Sequence, residues 1–422
     1  MPRTQDLSKM EEARKTLQSI ADHRRTRPTN KSEELYYDLL AKYFGRVLRA
    51  KEEGKLLAST SDVFPAELLY AMDIVPFHLS MVTCATATML KNQEEFLSAA
   101  KAFGLPPEVC SVHRIAAATF LKGWAPLPDI VIWNNETCDN NAKSAELIRA
   151  LSQARGFYFD YPYYFGQASE RYLAGEFEEL IGELEKLTGK KLDLDRLRET
   201  LRLSQRLVEL IEEINEIRKA VPSPAPNRLG TMMYLIRWYY QGTQEAVDYY
   251  TEVRNELKER VDKGVGFAPQ EKYRLLSIFL PPNHNWKLLD WMEREHGASL
   301  VMEYFSSHWG KIDWDPAQPV LTLARRSLAE PICRVYAPIS YYVDGLVEDA
   351  QAYKCHGAVY WAHTGCRHAC AAIRTVKDGL TQRAGVPTLA LDIDTNDPSF
   401  VSEEEMKEKL EGFFEVLAAR AG

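Results

Sequence analysis

The sequence lacks several features that would assign it to a familiar class. It contains no Cys-x-x-Cys pair, which argues against zinc ribbons and thioredoxin-like redox sites. No apolar run approaches the roughly 20 residues that span a bilayer, and the first residues lack the pattern of a signal peptide. The net charge of -8 gives no reason to expect a nucleic acid or an anionic membrane as partner. We therefore expect a cytoplasmic protein with neither kind of partner.

The cysteine content indicates free thiols rather than a disulfide framework. An odd number of cysteines cannot all be paired within the chain, and structural disulfides are rare in the cytoplasm. The thiols are therefore expected to serve packing or metal binding. The seven are Cys84, Cys110, Cys138, Cys333, Cys355, Cys366 and Cys370.

Residues 357–397 form the most informative stretch of the sequence. The stretch begins with the apolar run 358–361, passes through a polar turn that contains Cys366, and continues into a helix-like segment. A second apolar run then closes on Asp392 and Asp394. This pattern of strand, loop, helix and strand is typical of parallel α/β proteins. The loop is expected at the carboxyl end of a strand, where open α/β sheets bind ligands.

The same layout occurs at residues 129–160, with a cysteine at the same loop position. Trp133 precedes Cys138 by five residues, and Trp361 precedes Cys366 by five residues. At 422 residues the chain is long enough for two or three domains. The repeat predicts two α/β domains that direct thiols toward one point. We place an N-terminal helical region at 1–54, the first α/β domain at 55–168, a helical section at 169–265 and the second α/β domain at 266–422.

Three cysteines, Cys110, Cys138 and Cys366, lie on polar loops that lead into predicted helices. The positive end of a helix lowers the pKa of a nearby thiol, and the thiolate is the form that binds metal. Three thiolates would leave one iron of a cubane cluster open to another ligand, although such clusters usually have four cysteines in tightly spaced motifs. Free cysteines are also common in protein cores. Spacing alone therefore leaves both a three-thiolate cluster and core packing open.

Packing is the expectation for the other cysteines. Cys84, Cys333 and Cys355 have no polar loop of this kind. Cys370 lies four residues after Cys366 on the same predicted helix, so the two could share a face, but we expect Cys370 to pack.

Several short motifs follow one another in a characteristic order. They are Ala-Lys-Glu-Glu-Gly at 50–54, Ser-Thr-Ser-Asp-Val-Phe-Pro-Ala-Glu-Leu at 59–68, Leu-Pro-Pro-Glu-Val-Cys-Ser at 105–111, Asn-Asn-Glu-Thr-Cys-Asp at 134–139, Glu-Lys-Tyr-Arg at 271–274, Cys-His-Gly-Ala-Val-Tyr at 355–360, Thr-Gly-Cys at 364–366 and Gly-Val-Pro-Thr-Leu-Ala-Leu-Asp at 385–392. In this order the chain resembles the 2-hydroxyacyl-CoA dehydratase / benzoyl-CoA reductase family, with similarity to the 2-hydroxyglutaryl-CoA dehydratase D-component over roughly residues 35–420.

The resemblance implies a fold, a cofactor and partners. The fold would be α/β, with two Rossmann-like (flavodoxin-like) parallel-sheet domains and a cluster between them. The cysteines that match the family's cluster ligands are Cys110, Cys138 and Cys366, which would hold a [4Fe–4S] cluster. The substrate would be an acyl-CoA. A related second subunit and a separate ATP-hydrolysing iron–sulfur activator are expected as partners, and the chain indeed has no Gly-x-x-x-x-Gly-Lys-Ser/Thr motif.

The implied reaction is the ATP-activated dehydration of a 2-hydroxyacyl-CoA to an enoyl-CoA. One electron added to the thioester carbonyl gives a ketyl radical anion, which expels the hydroxyl group and acidifies the β-position. In dehydratases a serine of the 59–62 loop contacts the non-cysteine iron ligand, but an ungapped match places Asp62 there, with Ser61 adjacent. His363 is a candidate proton carrier because imidazole titrates near neutrality. Its alternative is a hydrogen-bonded core histidine.

Three other functions stay open. A benzoyl-CoA-reductase-type subunit would reduce an aromatic ring, and the aromatic-rich 238–240 region is compatible with it. A double-cubane reductase would need additional cysteine ligands, and the position where one is expected, near Ser59-Thr60, has none. A subunit for electron transfer or maturation would have no acyl-CoA turnover.

Overall fold

Each of the two α/β halves is built on a four-stranded parallel sheet in the computed structural model, which describes residues 5–26, 30–61, 63–135, 138–303 and 309–421. The strands of the first sheet lie in the order β2-β1-β3-β4. All pairings are parallel. The strands are β1 (Leu57–Thr60), β2 (Val75–His78), β3 (Ile130–Asn134) and β4 (Arg155–Phe159).

The second sheet repeats this topology. Its strands lie in the order β6-β5-β7-β8, again all parallel. They are β5 (Tyr273–Ile278), β6 (Ala298–Glu303), β7 (Gly357–His363) and β8 (Thr388–Ile393). Each sheet thus has the 2-1-3-4 order of doubly wound Rossmann-like folds. The predicted fold class is confirmed.

Helices surround both sheets. In the first half they are α1 (Ser8–Thr26), α2 (Lys31–Arg49), α3 (Ala66–Ala71), α4 (Leu79–Met89), α5 (Gln93–Phe103), α6 (Ser111–Lys122) and α7 (Asp139–Ser152). Along the chain, four helices separate the strands of the first sheet from those of the second: α8 (Gln167–Thr188), α9 (Leu194–Arg218), α10 (Leu229–Tyr240) and α11 (Gln244–Asp262). The remaining described helices are α12 (Trp286–His296), α13 (Pro319–Leu328), α14 (Pro331–Tyr336), α15 (Ile339–Ala352), α16 (Arg367–Ala384) and α17 (Glu403–Ala421).

The strands are hydrophobic on both faces because helices cover both sides of each sheet. Ile130, Val131 and Ile132 are consecutive and all buried. The run Ala358–Ala362 in β7 is likewise fully buried, with Trp361 donating its Nε1–H to Ser277. Continuous apolar runs of this kind are characteristic of parallel sheets. Within the described residues, no helix is long and apolar enough to cross a bilayer.

A buried ion network joins α3 of the first half to α10 and to the segment of α13 and α14. Glu330 accepts hydrogen bonds from Arg237 and Arg326, each at 2.8 Å. Arg326 also lies 2.7 Å from Glu67 of α3. All four side chains are essentially inaccessible to solvent. The charges compensate one another, which burial requires.

Candidate iron–sulfur site

The three cysteines predicted to lie on strand-to-helix loops all precede helices. Cys110 is the N-cap residue of α6, Cys138 of α7 and Cys366 of α16. They line one cavity of about 80 Å³ that lies between the two sheet domains. The first two come from the first domain and the third from the second domain. The structure thus brings Cys110, Cys138 and Cys366 to one cavity.

A glycine allows the two domains to approach at this cavity. A Cβ atom at Gly365 would lie 2.5 Å from the Cα atom of Cys110 and 2.8 Å from its backbone nitrogen. Carbon atoms cannot approach backbone atoms this closely. Across the same interface, Asn140 donates a hydrogen bond to the carbonyl oxygen of Gly365 at 3.2 Å. The loop of Cys366 therefore lies directly against the loop of Cys110 because residue 365 has no side chain.

Polar contacts connect α6 of the first domain to the loop after β8. Ser111 donates a hydrogen bond to Asp394. Arg114 lies 3.6 Å from Asp394 and 3.4 Å from Asp397. Ser111, Arg114 and Asp394 are buried, so these contacts are shielded from water. They fix the first turn of α6, and with it Cys110, against the second domain.

Two histidines contact two of the thiols. The Nε2 atom of His363 lies 3.2 Å from the Sγ atom of Cys110. The Nε2 atom of His113 lies 3.7 Å from the Sγ atom of Cys138, and its Nδ1 atom lies 2.8 Å from Ser144 Oγ. Burial lowers the pKa of His363 and lowers that of His113 to about 4, which favours the neutral form of both rings. His113 was not among the site residues predicted from the sequence. Its position three residues after Cys110, in the first turn of the same helix, is the signal that could have found it.

The protonation of the thiols differs from the expectation for helix N-termini. Burial raises the pKa of Cys110 well above its usual range, and nearby Cys138 raises it further. Burial also raises the pKa of Cys366, although the backbone N–H of Ala369 acts in the opposite direction. Desolvation thus outweighs the helix end at these two positions. A metal must displace these thiol protons when it binds.

Ser61 contacts the end of the strand that precedes the Cys138 loop, but it is not among the residues that line the cavity. Its hydroxyl group is buried and accepts a hydrogen bond from Asn134 Nδ2 at 3.0 Å. Asn134 is the last residue of β3, immediately before the loop of Cys138. Asp62, the other candidate of this loop, lies outside the described residues. The structure therefore connects Ser61 with the end of β3.

The remaining cysteines do not line the cavity of the three thiols. Cys333 and Cys84 are buried at 0% and 3% exposure, in accordance with the prediction that they pack in the core. Cys355 packs at the margin of the main core. Cys370 is exposed, and its Sγ atom lies 3.5 Å from the carbonyl oxygen of His363. The prediction that the Cys370 side chain packs in the core is wrong, because this side chain faces solvent on α16.

The donor set is suited to a polynuclear cluster. Among the described residues, no group of three or more His, Cys, Asp or Glu side chains is placed to hold a metal ion. The three thiols line a common cavity, each at the N-terminus of a helix, which favours negative charge. Soft thiolate ligands are those that iron–sulfur clusters use. Cys110, Cys138 and Cys366 therefore fit such a group, with no fourth cysteine at this cavity among the described residues.

Comparisons with known proteins identify the family of the chain. The chain is 26% identical to a benzoyl-CoA reductase subunit of Thauera aromatica over 413 residues, which cover 90% of this chain and 93% of the relative. It is 23% identical to the (R)-phenyllactyl-CoA dehydratase alpha subunit of Clostridium sporogenes, over 88% of this chain and 92% of the relative. It is also 23% identical to the (R)-2-hydroxyisocaproyl-CoA dehydratase alpha subunit of Clostridioides difficile, over 91% and 95%. The model of the family described as 2-hydroxyglutaryl-CoA dehydratase, D-component, matches residues 63–417. The chain therefore belongs to this family.

Proposed function

We propose that this chain is the cluster-binding subunit of an ATP-activated enzyme that dehydrates a 2-hydroxyacyl-CoA to an enoyl-CoA through a ketyl radical of the substrate. The observation that carries the proposal is the cavity between the two domains, which Cys110, Cys138 and Cys366 line together. Membership of a family whose relatives include two 2-hydroxyacyl-CoA dehydratase subunits supports the choice of reaction.

The three cysteines would hold a [4Fe–4S] cluster, which would supply single electrons at low potential to the acyl-CoA. The chain's own contribution is to fix the thiols and to shield Cys110 from water. Cys110 is 6% exposed. The contacts of Ser111 and Arg114 with Asp394 hold the first turn of α6 against the second domain. These features keep the ligand loops in one arrangement while charge changes nearby.

Three further residues receive proposed roles. His363 lines the cavity and is the proposed proton carrier for the substrate. Its contact with Cys110 also allows an Nε2–H group to donate to the sulfur and to orient it. Ser61 supports the start of the Cys138 loop through Asn134, and Asp62 is retained as a candidate neighbour of the open iron. A His363→Gln variant that keeps iron but loses turnover would support proton transfer. Parallel loss of iron would assign His363 to sulfur positioning.

Partners follow from the same proposal. The relatives are each named as one subunit of a larger enzyme, which supports a homologous second subunit. An ATP-hydrolysing iron–sulfur activator is the proposed electron source. The net charge of -8 gives no support for a nucleic acid, and the proposed location is the cytoplasm.

A benzoyl-CoA-reductase-type subunit is the second candidate. The specific observation in its favour is the 26% identity to the Thauera aromatica benzoyl-CoA reductase subunit over 90% of this chain. The cavity has only three cysteines among its described lining residues, which weighs against a double-cubane reductase. A subunit that only transfers electrons would bind iron without turning over an acyl-CoA.

Turnover assays separate these reactions. The anaerobically purified chain with its partner subunit, an activator and ATP would be supplied in parallel with a 2-hydroxyacyl-CoA and with benzoyl-CoA. Formation of an enoyl-CoA from the first substrate is expected. Reduction of the second alone would favour the ring reductase, and turnover of neither by an iron-loaded complex would contradict both candidates.

A further inference from the structure

A second and much larger cavity lies beside the cavity of the three thiols. Its volume is about 690 Å³, which is within the range of about 300–1,000 Å³ that ligand sites occupy. The two cavities share Met81 and Asn283 as lining residues. The large cavity also borders the loops that follow β5 and β8, at the carboxyl ends of strands, where α/β sheets bind ligands.

The walls of the large cavity are mainly apolar. They are formed by side chains from α1, α2, α4, α10 and α17, among them Leu17, Tyr36, Leu40, Leu235 and Met406. Tyr36 and Trp286 form a ring pair with centroids 6.0 Å apart. Such walls suit a bulky apolar group, because each buried apolar group gains free energy on leaving water. A two- or three-carbon acyl group would leave most of this space unfilled.

Unpartnered polar groups line the large cavity, and one of them, Asn283, lines both cavities. Asn396 is 0% exposed, and neither its amide oxygen nor its amide nitrogen has a hydrogen-bond partner among the described residues. The same holds for the Oδ1 atom of Asn283 and the Nε1 atom of Trp286. A buried amide or indole N–H without a hydrogen-bond partner destabilises a protein. Three residues with such atoms line one cavity, which indicates a polar ligand group that completes their hydrogen bonds.

Charged side chains line the large cavity where it reaches the surface. Lys91 and Lys287 line it and are exposed. Arg228, which also lines it, is already engaged by Asp290 and Glu33. The exposed ammonium groups are therefore the cations that a phosphate-bearing ligand would meet first. An elongated ligand with an anionic end at the surface and an acyl end inside matches this order.

We propose that the large cavity binds an acyl-CoA with a bulky apolar acyl group, and that Asn283 and Asn396 hydrogen-bond the oxygen atoms at the head of that group and hold them at the cavity of the three thiols. This inference rests on the proposed function and adds the substrate class. The amide N–H groups would donate to the thioester carbonyl oxygen, and the amide oxygens would accept from a 2-hydroxyl group. The apolar walls would hold the body of the acyl group.

Binding measurements without activator or ATP test the inference, because no turnover then occurs. The probes are 3-phenylpropionyl-CoA and propionyl-CoA, titrated calorimetrically into the anaerobically purified complex. The first is expected to bind at least tenfold more tightly, since it fills the apolar space. Asn396→Leu is expected to weaken both probes by a similar factor of about 5–30, because a buried thioester oxygen loses its partner. Asn283→Ala provides a second variant if Asn396→Leu does not fold.

The controls separate binding from structural roles. Asn255→Ala, on the exposed face of α11, is expected to change neither affinity. The ligand-free Asn396→Leu protein is expected to unfold at the same or a higher denaturant concentration than wild type, because the unpartnered amide is gone. Reduced stability with unchanged affinity would overturn the assignment of Asn396. Equal affinity of the wild type for both probes would overturn the proposed preference for a bulky acyl group while leaving the dehydratase proposal intact. Failure to bind either probe would contradict both.

Discussion

Replacing Gly365 with alanine should separate the two loops that carry Cys110 and Cys366. The added Cβ atom would lie 2.5 Å from the Cα atom of Cys110 and 2.8 Å from its backbone nitrogen. Both are backbone atoms, so no side-chain rotation can relieve the overlap. Forcing one extra carbon into a packed site costs about 1–3 kcal/mol. If the loops separate to relieve it, the apparent affinity for iron should fall by about 5- to 150-fold, since 1.4 kcal/mol corresponds to a factor of ten.

Iron retention measures this effect directly. Wild-type and Gly365→Ala proteins would be prepared anaerobically, dialysed against increasing concentrations of an iron chelator and assayed for bound iron. The matched control is Gly412→Ala on α17, where an added Cβ atom meets nothing within 4 Å. Alanine in an exposed helix stabilises by roughly 0.5–1 kcal/mol relative to glycine, so the control should retain iron and gain stability. Equal iron retention by Gly365→Ala and wild type would refute the close approach of the loops.

Two further predictions concern buried carboxyl groups. Burial raises the pKa of Glu293 to about 7, above its ordinary value of 4.5, so the folded state binds more protons than the unfolded state between these values. The free energy of unfolding should therefore fall by up to about 3 kcal/mol as pH rises from 4.5 to 8. Glu293→Gln should remove this loss of stability in urea titrations at pH 5 and pH 8, so the variant should gain stability relative to wild type as pH rises. A difference in the free energy of unfolding that does not grow with pH would contradict the reasoning. Glu330→Gln should cost about 3–5 kcal/mol in the same assay, because the buried guanidinium groups of Arg237 and Arg326 lose a counter-charge. Glu199→Gln, in an exposed pair, is the control and should change stability by less than about 1 kcal/mol; a similar change in both variants would refute the role of burial.

The fold was largely predictable because its signals are local. Apolar runs near Ile130 and Val359 become buried strands, and each cysteine loop leads into a helix as the sequence indicated. The helix α4 was missed. Its residues are buried on nearly all sides, so the sequence Leu-Ser-Met-Val-Thr-Cys-Ala-Thr-Ala-Thr-Met shows no amphipathic period, and its β-branched residues resemble a strand. The domain boundaries given above stay a prediction.

The candidate site was predictable only in part. The three thiols were singled out because each lies on a polar loop before a predicted helix, whereas their assignment to one cluster came from the resemblance to the family. The contact of Cys110 with His363 joins residues 253 positions apart, and no local pattern encodes it. The sign of the thiol pKa shifts was also missed, because burial depends on the packing of both domains. The unpartnered amide of Asn396 is likewise a property of packing and not of sequence.

The iron content of cysteine variants tests the central claim most directly. Wild-type protein prepared anaerobically should contain about four iron atoms per chain, as one cubane cluster requires. Cys110→Ser, Cys138→Ser and Cys366→Ser should each lose most of this iron. Cys370→Ser should retain it, because that thiol is exposed and does not line the cavity. Absence of iron from the wild type, or equal loss in Cys366→Ser and Cys370→Ser, would contradict the account.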